Sequence, residues 1–265
     1  MIARPTMSEN AEFKKGVRAY IEGDYATALL EFRQLADKGY ASAQNDLGVM
    51  YANGVEVTQD YQEAAQWFHR AAAQGHAPAQ FALGMMYKKG EGVPQDAEAA
   101  ARWWRCAAEQ GHADAQSNLG VMYHREEGVP QDSLEAVRWY HRAAEQGHAD
   151  AQSNLGVMYH RGEEVPQDYL EAIRWYQRAA EQGHAFAQSN LGVMYAKGTG
   201  VPQDNVRAHM WFNIAASSGK VYAREIRADA RKMRGEVEKN MSSAQITMAE
   251  QLARECIEKN YKGCY

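Results

Sequence analysis

The stretch Ala113-Asp114-Ala115-Gln116-Ser117-Asn118-Leu119-Gly120-Val121-Met122-Tyr123 decides the fold, because the chain repeats its frame five times. The frame Ala-x-Ala-Gln-x-x-Leu-Gly-x-Met-Tyr begins at Ala41, Ala77, Ala113, Ala149 and Ala185, each 36 residues after the last and without an insertion. A fixed period of this size marks an array of stacked units. Within each copy the Leu, Gly and Tyr at i, i+1 and i+4 share one side of a helix. The glycines (Gly48, Gly84, Gly120, Gly156 and Gly192) let a neighbouring helix approach closely.

Working outward, each first helix is followed by a loop such as Gly90-Glu91-Gly92-Val93-Pro94-Gln95-Asp96. Asp60, Asp96, Asp132, Asp168 and Asp204 then fall where an N-cap belongs, and Glu63, Glu135 and Glu171 three residues on predict capping boxes. The second helix carries Trp67, Trp103, Trp139, Trp175 and Trp211, each followed by another aromatic and, four residues on, by Ala71, Ala107, Ala143, Ala179 and Ala215. It ends at Gly75, Gly111, Gly147, Gly183 and Gly219, which predicts a left-handed C′ residue in every unit. Each helix-loop-helix unit has one apolar seam and no core of its own, so the units must stack.

The composition agrees. The 265 residues are 45% hydrophobic and carry a net charge of -5, which excludes a disordered chain and argues against a nucleic-acid protein of the basic-patch kind. No apolar run approaches the ~18 residues of a membrane span, so no membrane insertion is expected. The first ten residues contain no apolar core of a secretory leader.

The pattern closely resembles the Sel1-like repeat, a relative of the tetratricopeptide repeat with a longer loop between its helices. The resemblance covers residues 41–220 and implies an all-α, right-handed superhelical α-solenoid of stacked helix-loop-helix repeats. Around these five repeats we expect a disordered tail over residues 1–10 and a short capping repeat over 11–40, in which Gly16 aligns with Gly48. Capping helices and a tail are expected over 221–265, as many family members end similarly. There Val221–Gly235 reads as a divergent first helix, and Ser243–Lys259 as a final amphipathic helix with Ile246, Met248, Leu252 and Cys256 near one face. Three loop positions depart from the motif: Glu126 replaces the first loop glycine of its unit, and Glu56 and Glu164 replace the second. If those positions need positive φ, each substitution costs about 1 kcal/mol.

In tetratricopeptide-like stacks the first helices line the concave face. Transferring that geometry places Asn45, then Phe81, Met85, Lys88 and Lys89, in the groove. The middle units add Asn118, His124 and Arg125, then Asn154, His160 and Arg161, and the last adds Asn190 and Lys197. The Lys and Arg residues form a basic rim, the Asn and Ser residues a polar floor, and Phe81, Met85 and Phe186 apolar contacts. Such a groove suits a protein or extended peptide with acidic side chains or a C-terminal carboxylate. The bland alternative is that these charges complement helix ends in solvent and the asparagines brace adjacent repeats. Residues 109–125 and 145–161 are identical, and duplicated surroundings suit an extended partner better than a catalytic centre.

No cofactor or metal is called for. His76, His112, His148 and His184 lie one repeat apart, too far to share a zinc, and read as helix-end packing and capping. The tryptophans read as core. Ser217-Ser218-Gly219-Lys220 matches the Ser-x-x-Lys of penicillin-binding enzymes, a link that a related branch of the family gives some weight, but no Lys-Thr-Gly or Ser-Asp-Asn accompanies it. We therefore expect a non-enzymatic, monomeric interaction scaffold. The rivals are a β-lactam-binding enzyme using Ser217 and Lys220, and a structural self-assembly module.

Cys106 replaces an arginine found at the matching place in three other units and reads as half-exposed and unpaired. Cys256 and Cys264 would be ~12 Å apart on a continuous helix, but Asn260 and Gly263 would let the chain turn back. The tail resembles that of exported family members, which implies a bond between these two. Two alternatives stand: a bonded pair in a mature periplasmic or secreted form, or reduced thiols in the cytoplasm.

Overall fold

The computed structural model describes residues 7–219 and 224–264. Among them are fourteen α-helices and no strand: α1 (Met7–Glu22), α2 (Tyr25–Asp37), α3 (Ala41–Asn53), α4 (Tyr61–Ala73), α5 (Ala77–Lys89), α6 (Ala97–Glu109), α7 (Ala113–Arg125), α8 (Ser133–Glu145), α9 (Ala149–Arg161), α10 (Tyr169–Ala180), α11 (Ala185–Lys197), α12 (Asn205–Ala216), α13 (Arg224–Glu238) and α14 (Ser243–Glu258). Helix α1 begins at Met7, so the last four residues of the expected tail are helical.

Helices α1–α7 form one compact unit and α8–α14 another, the division falling between Asp132 and Ser133. That point lies between the two helices of the third 36-residue repeat, so compact units and sequence repeats are out of phase. In the first unit α1 pairs with α2, α3 with α4 and α5 with α6, and each later first helix also packs on the preceding second helix. In the second, α8 packs on α9, the pairs α9/α10 and α11/α12 join through α10 and α11, and both α13 and α14 lie on α12.

The glycines of the repeat frame explain the close pairing. A Cβ on Gly48 would stand 2.9 Å from the Phe68 ring, one on Gly84 2.4 Å from Trp104, and one on Gly156 2.5 Å from Tyr176. Gly192 faces Phe212 in the same way at 2.7 Å. Gly16 meets Phe32 at 2.7 Å, so the first hairpin is in register with the full repeats despite its shorter loop.

The repeated polar residues are consumed by helix ends. Gln44, Gln80, Gln116, Gln152 and Gln188 are buried, and each Nε2 donates to a carbonyl ending the preceding second helix, at 2.9–3.2 Å. The side-chain oxygens of Gln44, Gln80 and Gln152 accept from Gln74, Gln110 and Gln182 at the end of the next second helix, which staples three helix ends together. Gln59, Gln95, Gln131, Gln167 and Gln203 of the loops donate to the last turn of their own first helix. Unsatisfied helix-terminal carbonyls are costly when buried, which gives these amides their place in the sequence.

Asp60, Asp96, Asp168 and Asp204 cap their helices as expected. The expected capping boxes at Asp60 and Asp168 do not form: the N–H groups of these two residues donate instead to the Tyr51 and Tyr159 carbonyls, at 3.0 Å each. Their glutamates turn elsewhere, Glu63 accepting from the Trp67 indole at 2.9 Å and Glu171 from Arg174 at 3.0 Å. A reciprocal box occurs at Ser242 and Gln245. Glu56, Glu126 and Glu164 adopt φ of 57°, 58° and 59°, so the loops keep the left-handed turn without glycine. Gly75, Gly111, Gly147 and Gly183 are left-handed, but Gly219 is not. Of the expected tryptophan core, Trp67, Trp139, Trp175 and Trp211 are buried, while Trp103 is half-buried beside a buried Trp104.

The periodic histidines are N-caps. Nδ1 of His76 and of His112 accepts the N–H of Ala79 and Ala115 at 3.4 Å, and His148 and His184 do the same at 3.2 Å. Burial holds His76 and His112 below the usual histidine range, with Asp114 pulling His112 partly back. The unfolded chain then takes up protons more readily below about pH 6.5, so this contribution is fully present above 6.5 and is lost as pH falls from there through the lower folded pKa. Loss of both caps is expected to destabilise the first unit by about 2 kcal/mol. Urea midpoints measured from pH 7.5 to pH 5 should fall, and should flatten in His76→Asn/His112→Asn, which caps without titrating. An unchanged slope in that variant refutes the assignment.

Candidate functional site

In the first unit the predicted groove residues come from α3, α5 and α7. Asn45 is half-buried and donates to its neighbour Asp46 at 3.0 Å. Phe81 is not a free contact: its ring stacks on His112 at 4.7 Å and on Trp104 at 6.4 Å. Met85 accepts from Asn118 Nδ2 at 3.7 Å, which makes Asn118 a brace between α5 and α7. His124 is half-buried, with Nδ1 shielded and without a partner. Lys88 pairs with Glu127, Lys89 with Glu91 at 3.6 Å and Arg125 with Glu127 at 3.9 Å. Lys88 and Arg125 hold the Glu127 carboxyl below the usual range, chiefly through the Lys88 hydrogen bond.

In the second unit Asn154 is half-buried, and Asn190 Nδ2 is buried without a partner. The residue related to Asn190 as Met85 is to Asn118 is Val157, which has no acceptor to offer. Arg161 pairs with Glu163 at 3.2 Å. His160 stands edge-on to Tyr169 at 5.7 Å, and burial together with Lys197 and Arg161 lowers its pKa. Lys197 is exposed, and no carboxylate among the described residues pairs with it. Thr199 occupies the place that Glu91, Glu127 and Glu163 hold in the other loops.

Two sequence expectations are thus corrected. The basic rim is mostly an array of ion pairs, because three of the loops supply a glutamate two residues after their Lys or Arg. The serine part of the floor is closed, since Ser117, Ser153 and Ser189 are buried between helices.

Two of the open hollows among the described residues are walled in part by a first helix of the repeats and in part by a terminal helix. One, of about 150 Å3, is bounded by Val17, Tyr20 and Ile21 of α1, Phe32 of α2, and Asp46 and Val49 of α3. The other, of about 460 Å3, lies between α11 and α13. Val193, Ala196 and Lys197 form one side, Asp229, Lys232, Met233, Glu236 and Val237 the other, and Phe212 completes the lining. Sequence reasoning placed Lys197 in the groove but missed the opposite wall of each hollow, because that wall comes from a terminal helix outside the five repeats. Phe186 is 40% exposed.

At the C-terminal end, α14 buries Ala249, Ala253 and Cys256, while Met248, expected on that face, is exposed. After Glu258 the chain reverses through left-handed Asn260, Tyr261 and Gly263, with the Tyr261 N–H donating to the Cys256 carbonyl at 2.8 Å. This brings Cys256 and Cys264 to bonding distance, with Cα atoms 5.5 Å apart. Cys106 is free and exposed. Ser217 caps the end of α12, its hydroxyl donating to the Ile214 carbonyl at 2.7 Å, and Lys220 lies outside the described residues. Among the described residues no group of three His, Cys, Asp or Glu side chains could hold a metal, and no helix is long and apolar enough to cross a membrane.

These features define a helix-hairpin repeat protein whose repeated polar residues serve helix ends. The Sel1 repeat model matches residues 41–76, 77–112, 113–148, 149–184 and 185–220, and the chain belongs to the Sel1 repeat family. Proteins of this family generally mediate protein–protein interactions and are generally non-enzymatic scaffolds. A Sel1 repeat protein from Oxalobacter formigenes is similar over 90% of this chain and 96% of its own, with 32% identity and a TM-score of 0.79. The protein c5321, a protective antigen present in uropathogenic Escherichia coli strains, displays the same kind of fold with 37% identity and a TM-score of 0.71. The match covers 89% of this chain and 52% of c5321, so this chain spans about half of that relative. Comparison with curated proteins gives no match.

Proposed function

We propose that the chain is a non-catalytic scaffold that holds a protein or extended peptide against its first helices. The observation that carries this reading is the hollow between α11 and α13, where an unpaired ammonium, Lys197, borders apolar Val193, Met233 and Val237. Of the basic rim, Lys197 alone lacks a carboxylate partner among the described residues, so the preference for an acidic group narrows to this place. A guest carboxylate flanked by apolar side chains meets both features when it docks on the α11 side, where Lys197 stands, rather than on the α13 side, which carries Asp229 and Glu236. The cysteine pair at the end of the same unit favours an oxidising compartment, periplasmic or extracellular.

The test is site-specific photocrosslinking in the organism that makes the protein, with the crosslinker at Met233. A discrete protein adduct is expected that is lost in Lys197→Glu and kept in Arg102→Glu, an exposed residue of α6. Adducts indifferent to Lys197→Glu, or none at Met233, would sink the proposal.

A further inference from the structure

We infer that the cleft between α1 and α3 receives a lysine or arginine side chain from an apolar segment of a partner protein, with Asp46 as its counter-charge. This rests on the reading that the first helices hold a partner, and it concerns the first unit alone.

The cleft is apolar except for one group. Val17, Tyr20, Ile21, Phe32 and Val49 surround the half-buried Asp46. Ile21 is 79% exposed, the most exposed large apolar side chain among the described residues. Asp46 accepts a hydrogen bond from Asn45 at 3.0 Å, and no Lys or Arg among the described residues pairs with it. Burial raises its pKa, with the Asn45 bond pulling the other way, as expected of a carboxylate short of a counter-ion.

Comparison between repeats sharpens the case. Asp46 occupies the position held by Ala82, Asn118, Asn154 and Asn190, so four repeats keep this place neutral and this one places a charge there. Folding does not need that charge, since Asn serves at the same place in three repeats. The surrounding surface identifies the guest by complementarity. A Lys or Arg stem can lie on Ile21 and Val17, and its cationic head can reach Asp46 beside the half-buried Tyr20. An acidic guest would meet like charge, and a purely apolar one would leave the carboxylate desolvated and unpaired.

The test uses the full chain, 15N-labelled, titrated with a capped pentapeptide Ser-Leu-Lys-Val-Ser and with its Glu-for-Lys counterpart. With the lysine peptide, saturable amide shifts are expected at Val17, Ile21, Asp46 and Val49. The glutamate peptide should give none, and Asp46→Asn should weaken lysine-peptide binding at least fivefold with the remaining spectrum unchanged. Ile21→Ser should weaken it as well. Equal binding of the two peptides, undiminished binding by Asp46→Asn, or no shift with the lysine peptide overturns the inference. So does a dimer in sedimentation that dissociates on Asp46→Asn, since the guest would then be a second copy. The readout is confined to α1 and α3, so its failure leaves the Lys197 test standing, and the converse holds too.

Discussion

Gly92→Ala is expected to destabilise the first unit by about 3 kcal/mol, whereas Gly90→Ala two residues away should cost about 1 kcal/mol. Both glycines are left-handed, with φ of 70° and 74°, so the backbone penalty is shared. They differ in what lies opposite. A Cβ on Gly92 would fall 2.0 Å from the Tyr61 carbonyl oxygen and 2.8 Å from the Gln62 nitrogen, and neither can swing aside because both are backbone at the start of α4. A Cβ on Gly90 meets the Gln95 Cβ at 3.2 Å, a contact a small adjustment relieves. The chain contains its own controls: Glu126 holds the place of Gly90 in the third repeat at φ 58°, and Glu56 holds that of Gly92 in the first while remaining exposed. Left-handed φ alone is therefore bearable, and the steric approach decides. Urea denaturation followed by circular dichroism measures the two variants, and equal losses would show that the loop does not rest on α4.

The second large effect concerns the tail. Reducing or removing the Cys256–Cys264 bond is expected to cost about 2–3 kcal/mol, the loop-closure value for so short a separation. The loss should be local. Tyr261 packs against Gly183, Lys262 lies 4.0 Å from Glu181, and Cys256 and Leu252 join the apolar cluster around Trp211. Hydrogen exchange of α14 amides should therefore accelerate in Cys264→Ala while α9 and α10 keep their protection. Intact mass should rise by two hydrogens when the denatured protein is treated with reductant. No mass change, or unaltered α14 exchange in Cys264→Ala, refutes the bond or its role.

The fold was legible because its determinants are local and periodic. Gly48 and its four equivalents, the Trp-aromatic pairs and the cap aspartates recur at the same offsets, so a single repeat reveals them all. The capping boxes failed for a physical reason that one repeat in isolation hides: at Asp60 and Asp168 the cap N–H already meets a tyrosine carbonyl of the preceding helix. The glutamine rows were visible as constant letters in the frame. Their bonding spans neighbouring hairpins, and only three-dimensional stacking brings Gln74 to Gln44.

The candidate site was read less completely. Its basic residues were found, but their partners Glu91, Glu127 and Glu163 belong to loops that sequence spacing leaves free to point anywhere. Asp46 escaped notice because its surroundings come largely from α1 and α2, outside the five repeats.

By itself the sequence determined the period, the helix pairs and most of their capping residues, since these follow from spacing along one chain. Only the tertiary structure decided that the division into compact units cuts the third repeat and which charges are neutralised. It also decided where the first helices remain open. Those properties depend on what packs opposite each residue, and that is set by neighbours from other hairpins rather than by the residue's own place in the repeat.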